Sequence, residues 1–199
     1  EAEGLEKLRK NFKRYGHAHA EFDLRVVPVL GDLEKPRFGL SEATFRDLAD
    51  RADIVVHNGA SVNLVFPYEL LRAVNVGGTK EAIRFACLVR PKPLHFVSTY
   101  SVQHSREHLH TSDIYETDPL PPCESLMGGY HRSKWVGERL VREAERRGLP
   151  VAVYRPGRIT GHSATGSANL GDLLHVMISG CMTLGALPQF DDPIDMTPI

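Results

Sequence analysis

Short apolar runs alternate along the chain with stretches whose apolar residues recur at helical spacing. In Gly4 to Tyr15, Leu5, Leu8 and Phe12 fall on one side of a helix with charges between them, and Gly16 supplies a stop. Arg25 to Leu30 is a short β-branched run that predicts a strand delivering Gly31-Asp32-Leu33 at its carboxyl end. Ser41 is placed to cap a helix through about Arg51. The run Asp53-Ile54-Val55-Val56-His57 predicts a strand buried on both faces and ending in Asn58-Gly59-Ala60-Ser61. Pro67 to about Leu88 predicts a long helix, interrupted at Asn75-Val76-Gly77-Gly78-Thr79. Leu94 to Thr99 predicts another short strand, ending in the hydroxyls of Ser98 and Thr99. A polar loop from His104 to Met127 leads into a helix that runs to Arg147 and stops at Gly148. Pro150 to Tyr154 predicts a further strand, ending at Arg155-Pro156-Gly157. Beyond it come Gly161, Gly166 and Gly171, then an apolar helix near Leu173 to Ile178.

Strands alternating with helices at this spacing predict βαβ crossovers, hence an α/β fold with a doubly wound parallel sheet and helices on both faces. No internal repeat, low-complexity tract or linker interrupts the order. With 199 residues, the chain is long enough for one domain with a sizeable core. It is 42% hydrophobic and 25% charged with a net charge of -1, so it has no basic excess for nucleic acid. No apolar run approaches the ~20 residues that span a bilayer, and no signal peptide opens the chain. Cys87, Cys123 and Cys181 are widely spaced with no C-x-x-C pair, so reduced thiols in a cytoplasmic protein are expected rather than a disulfide frame or zinc site.

Candidate chemistry centres on Tyr130 and Lys134, which stand one turn apart on one helix face. A free phenol titrates near pH ~10, and a nearby ammonium favours its ionised form, making it a better proton donor. The Tyr-x-x-x-Lys spacing also arises by chance on solvated helices. The residues that end the strands cluster at one rim of the expected sheet, where ligands bind: Gly31-Asp32, Asn58-Gly59-Ala60, Ser98-Thr99 and Arg155-Pro156-Gly157. Each, taken singly, is equally a turn. His104, His108 and His110 lie in a polar loop with no cysteine or carboxylate pattern beside them, and no metal site is expected there. Trp135 and Leu140 are expected to pack in the core, and Glu143 to Arg147 to form a solvated face. His131 and Arg132 are expected at the surface, on another side of the helix from Tyr130 and Lys134.

Gly31-Asp32-Leu33, His57-Asn58-Gly59-Ala60-Ser61-Val62-Asn63, Asn75-Val76-x-Gly78-Thr79, Val97-Ser98-Thr99, Gly129-Tyr130-x-x-Ser133-Lys134-Trp135-Val136-Gly137-Glu138 and Tyr154-Arg155-Pro156-Gly157-Arg158-Ile159-Thr160-Gly161 follow in that order. Together they resemble the extended short-chain dehydrogenase/reductases. More closely, they resemble the thioester reductase domains that end nonribosomal peptide synthetases, some polyketide synthases and carboxylic acid reductases.

The resemblance implies a Rossmann-like fold and an NADPH-dependent reductase. Its substrate would be an acyl or peptidyl thioester on a phosphopantetheinylated carrier protein, released as an aldehyde and possibly reduced on to the alcohol. It implies that Tyr130 donates the proton, that Lys134 lowers the phenol's pKa and bonds the nicotinamide ribose, and that Thr99 holds the substrate carbonyl, with Ser98 the lesser candidate. Asp32 and Leu33 would sit at the adenine; Asn58, Gly59, Ala60 and Ser61 would line the cofactor; Asn75 would support strand ends or cofactor; Pro156, Gly157 and Ile159 would border the nicotinamide. The family's opening Gly-rich turn is not in residues 1 to 31, whose only glycines are Gly4, Gly16 and Gly31, and neither is the basic residue that favours NADP. The chain is therefore expected to be an internal piece. Residues 1–199 would form a single partial domain, the substrate-binding portion would start near residue 160, and the piece alone would bind NADPH weakly and be inactive. Two other functions remain open at this level: a sugar-nucleotide epimerase or dehydratase, and a non-redox release domain that only binds a carrier protein or catalyses condensation of the tethered chain.

Overall fold

The computed structural model describes residues 2–16, 22–105 and 113–189. In chain order its elements are α1 (Ala2–Arg14), α2 (Phe22–Arg25), α3 (Glu42–Arg51), β1 (Val55–His57), α4 (Tyr68–Arg72), α5 (Gly78–Cys87), β2 (Leu94–Val97), α6 (Gly129–Arg146), β3 (Val151–Tyr154) and α7 (Leu173–Leu184). They fall into two compact units, one formed by residues 31–156 and the other by 1–30 with 157–199.

The unit of residues 31–156 holds a three-stranded parallel sheet in the order β1-β2-β3. Register pairs Val55 with Leu94 and Leu94 with Val151. Parallel neighbours need a crossover, and α4–α5 and then α6 provide the two. Buried Ala86 of α5, Leu94 and Phe96 of β2, Val141 of α6 and Leu149 form the core, with Val55, Ile83, Ala144, Val151 and Val153 against it. Phe45 of α3 meets Phe85 of α5 edge-on, centroids 5.1 Å apart. Ser41 caps α3 as the sequence predicts, its Oγ accepting from the Thr44 N–H at 3.1 Å.

Two expectations are corrected here. The strand β1 is buried on one face only: His57 is buried, whereas Val56 is 67% exposed. The covering helices α5 and α6 lie on the Leu94–Phe96 side, while Val56, His95 and Tyr154 occupy the other side. The interruption in the 67–88 helix is not a break. Ala73–Gly77 forms a π-helical turn, a one-residue widening that keeps the chain helical while re-aiming a side chain.

In the other unit α1 has the expected amphipathic pattern, and Gly16, at φ +75°, ends it. Its Phe12 meets Phe22 of α2 at 4.8 Å. Residues 26–30 do not form the expected strand. A strand is held by its ladder, and among the described residues this run pairs with none, leaving Val27 76% and Leu30 65% exposed. Helix α7 begins where the Asp172 carboxylate accepts from the Leu174 N–H at 3.0 Å, and runs past Ile178 to Leu184.

Candidate active site

Helix α6 begins with an unusually close approach. At Gly129 a Cβ would stand 2.4 Å from backbone atoms of Phe66, Pro67 and Tyr68, so only glycine lets the helix start against that loop. Tyr130 follows at once, and Ser133, Lys134, Gly137, Glu138 and Val141 form the buried face. The Lys134 Nζ donates to the carbonyl of Val97, the last residue of β2, at 2.8 Å, and sits 4.6 Å from the Phe96 ring centroid. Thr99 lies two residues on, half-buried. Its Oγ1 accepts from the Ser101 N–H at 3.3 Å and lies 2.9 Å from Ser101 Oγ.

Asn75 ties three segments together from within the π-turn. Its Oδ1 accepts from the Ser61 N–H at 2.7 Å, and its Nδ2 donates to the Ser61 carbonyl at 3.0 Å and to Ser133 Oγ at 2.9 Å. Ser133 Oγ in turn donates to the Tyr130 carbonyl at 2.8 Å. The loop after β1 is thereby bonded to the helix turn that bears Tyr130 and Lys134. Leu33 joins the same rim: a Cβ on Gly59 would come 2.8 Å from Leu33 Cδ1, and one on Gly78 would come 3.3 Å from Leu33 Cβ. Asn58 and Gly59 are exposed, Ala60 and Ser61 half-buried.

Asp32 is built into a turn. It accepts from the Glu34 N–H at 3.0 Å and pairs with Lys35 at 3.2 Å, and both contacts hold its carboxyl below the usual range. The Pro156 carbonyl accepts from the Tyr100 N–H at 3.2 Å, which links the end of β3 to the segment after Thr99. Gly157 and Ile159 belong to the other unit.

Burial governs the titrations. It lowers Lys134 to about 8, while the Glu138 carboxylate pulls the other way. It raises the Tyr130 phenol. Burial is the cause of that upward shift, and the Lys134 ammonium donates to the Val97 carbonyl. Buried His57 is lowered to about 4, by burial first and then by Lys134. Thr79 Oγ1 already donates to the Asn75 carbonyl at 2.6 Å, so His57 Nε2, 3.2 Å away, carries the proton between them.

Several expectations for neighbouring residues change in detail. Trp135 is half-buried, its indole N–H donating to the Pro121 carbonyl at 2.9 Å rather than packing in the core. Arg132 Nε donates to the Leu126 carbonyl at 3.1 Å, and His131 bonds the Met127 carbonyl. Glu143 pairs with Arg146 and Arg147 on an exposed face, as expected. Cys87, Cys123 and Cys181 are free thiols. Among the described residues no group of His, Cys, Asp and Glu is placed to hold a metal, while His108 and His110 lie outside the described residues. Among the described residues no helix is long and apolar enough to cross a membrane. Glu138 and Arg155, not singled out as site residues from the sequence, form a buried ion pair at 2.6 Å. The signal was available, since a glutamate stands on the apolar face of α6 between Lys134 and Val141.

A parallel, Rossmann-like α/β unit whose Tyr-x-x-x-Lys helix is bonded to the end of its middle strand is of the short-chain dehydrogenase/reductase type. The chain belongs to the male sterility protein family, an NAD-binding family whose profile matches residues 1–199. It is 42% identical over 199 residues to a linear gramicidin synthase subunit of Brevibacillus parabrevis, covering 100% of this chain and 4% of that protein. It is 38% identical over 205 residues to the L-2-aminoadipate reductase large subunit of Penicillium chrysogenum, covering 98% of this chain and 14% of that protein. The crystal structure of the terminal R domain from the myxalamid PKS-NRPS biosynthetic pathway superposes with a TM-score of 0.94 at 48% identity, over 100% of this chain and 50% of that one. The chain thus spans a small part of these curated relatives and half of that structure.

Proposed function

We propose that residues 1–199 are part of an NADPH-dependent reductase that releases an acyl or peptidyl thioester from the phosphopantetheine arm of a carrier protein as an aldehyde. The observation that carries the reading is the bond from Lys134 to the Val97 carbonyl, which seats the Tyr-x-x-x-Lys helix against the strand end that leads to Thr99. Similarity to an aminoadipate reductase and to a terminal R domain supports the reaction class.

The rim leaves room for a nicotinamide dinucleotide where Asn58 and Gly59 stand exposed at the β1 end. Asp32 and Leu33 would hold the adenine end, Asn58 to Ser61 the middle, Lys134 the ribose, and Pro156 the nicotinamide. When bound, the cofactor supplies the hydride for the thioester carbonyl carbon. Thr99 donates a hydrogen bond to the carbonyl oxygen, and Tyr130 gives that oxygen its proton as charge develops there. The Lys134 ammonium, one helical turn along the same face, stabilises the phenolate left behind. The resulting hemithioacetal loses the carrier's thiol, and the aldehyde departs. A second round would give the alcohol. The substrate-binding portion is taken to begin near residue 160, and a carrier-linked, NADPH-driven reaction places the protein in the cytoplasm.

The test uses the polypeptide that naturally carries this segment. NADPH or NADH absorbance is followed with an acyl-pantetheine thioester in wild type and Tyr130→Phe. Oxidation in the wild type and near-loss in the variant support the reading. NADPH binding without oxidation overturns it in favour of a non-redox carrier-binding role.

A further inference from the structure

The ends of β2 and β3 and the middle of α6 converge on one carboxylate. Glu138 is fully buried and stands one turn beyond Lys134 and two beyond Tyr130. Its Oε2 accepts from Ser98 Oγ at 2.6 Å. Arg155 Nη2 donates to Oε1 at 2.6 Å, and Nε is shared between the two oxygens at 3.1 and 3.2 Å. The Arg155 side chain is 15% exposed, and Arg142 reaches Oε1 only at 4.0 Å.

A buried ion pair is a poor device for stability, since apolar residues of similar volume commonly do as well or better. Its partners here point to another use. Ser98 stands between Val97, whose carbonyl receives the Lys134 ammonium, and Thr99. Arg155 precedes Pro156, whose carbonyl is bonded to the Tyr100 N–H. We propose that Glu138 is a positioning residue of this site, holding Ser98 and Arg155 so that Thr99 keeps register with Lys134. The inference rests on the reductase reading above.

The Glu138 carboxylate also opposes the lowering of Lys134 by burial. β1 contributes His57, and β2 the Val97 carbonyl and Phe96 ring. The π-turn and α5 contribute the uncharged Asn75 and Thr79, which touch α6 at Ser133 and Gly137. Tyr130 and Glu138 come from α6 itself, and Glu138 is the anion that acts on Lys134.

Glu138→Gln preserves the shape and removes the charge. The double variant Glu138→Met/Arg155→Met replaces the pair with apolar bulk. Both are made in the natural polypeptide and read by NMR titration of ¹³Cε-labelled lysine, with Lys134 assigned through Lys134→Arg, and by the pH profile of thioester reduction. In Glu138→Gln the Lys134 midpoint moves to lower pH, the alkaline limb of kcat moves with it, and kcat drops roughly 10- to 100-fold. The double variant unfolds at wild-type denaturant and keeps the same catalytic loss. An unmoved Lys134 midpoint in Glu138→Gln, or wild-type turnover in the double variant, overturns the proposal. A wild-type polypeptide without thioester reduction overturns the reductase reading instead, and the Lys134 midpoint then decides the role of Glu138 alone.

Discussion

Asn75 and Ser133, 58 positions apart in sequence, are joined by a 2.9 Å hydrogen bond from amide to hydroxyl inside the protein. Asn75 also holds both backbone groups of Ser61, so one side chain fixes the β1 loop against the helix that carries Tyr130 and Lys134. Asn75→Ala strands the Ser61 N–H and removes the donor to Ser133. A loss of about 3 kcal/mol in urea unfolding is expected, from buried groups left without partners. A change below the error of that measurement would show that the loop is held by other contacts.

Gly129 tests whether the placement of Tyr130 depends on backbone contact. The atoms a Cβ would meet belong to the backbone of residues 66–68, so no side-chain rotation can relieve the clash. Gly129→Ala is expected to cost more than about 2 kcal/mol. It is also expected to lower kcat of thioester reduction, whereas Gly180→Ala, in open space inside α7, is expected to raise stability by about 0.5–1 kcal/mol.

Two buried groups give opposite pH limbs. His57 has a folded pKa near 4 against an ordinary 6.5, so between those values the unfolded chain binds more protons. Stability is therefore fully present above about pH 6.5 and falls as the pH drops towards 4, by something on the order of 3 kcal/mol. His57→Gln is expected to flatten unfolding midpoints across that window. Lys134, lowered to about 8, loses its ammonium as pH rises through that value, so reduction is expected to decline above pH 8. A rate that is flat from pH 7 to 10 would remove Lys134 from the chemistry.

Val89 is held at φ +66°, in the left-handed region that a β-branched residue rarely enters, and it is 48% exposed. Asn occupies that region more readily. Val89→Asn is expected to stabilise the protein by about 1 kcal/mol, raising Tm by roughly 2–4 °C in a scanning calorimeter. A lowered Tm would mean that the valine side chain contributes packing that outweighs its backbone strain.

Most elements are legible in the amino-acid sequence because their signals are local. The Ser41 cap, the Gly16 and Gly148 stops and the apolar run at Leu94 each act through neighbours in the chain, and each is found where expected. The Arg25 to Leu30 run is not legible in the same way. Its β-branched content states a preference, whereas a strand exists only where a second chain segment completes the hydrogen bonds. The one-sided burial of β1 is hidden for a related reason, since an apolar run does not say which of its faces a helix will cover.

The alternation of strands and helices, the family, and the candidates Thr99, Tyr130 and Lys134 all reside in short motifs or helical spacing, so the order of residues is enough to set them. Three further features come only from packing. Asn75 widens its helix to bond Ser61 and Ser133, Lys134 turns to the Val97 carbonyl, and Glu138 closes on Ser98 and Arg155. These links join residues from 14 to 58 positions apart. Their strength comes from burial, which penalises any polar group left unpaired, and burial is a property of the packed molecule rather than of any segment.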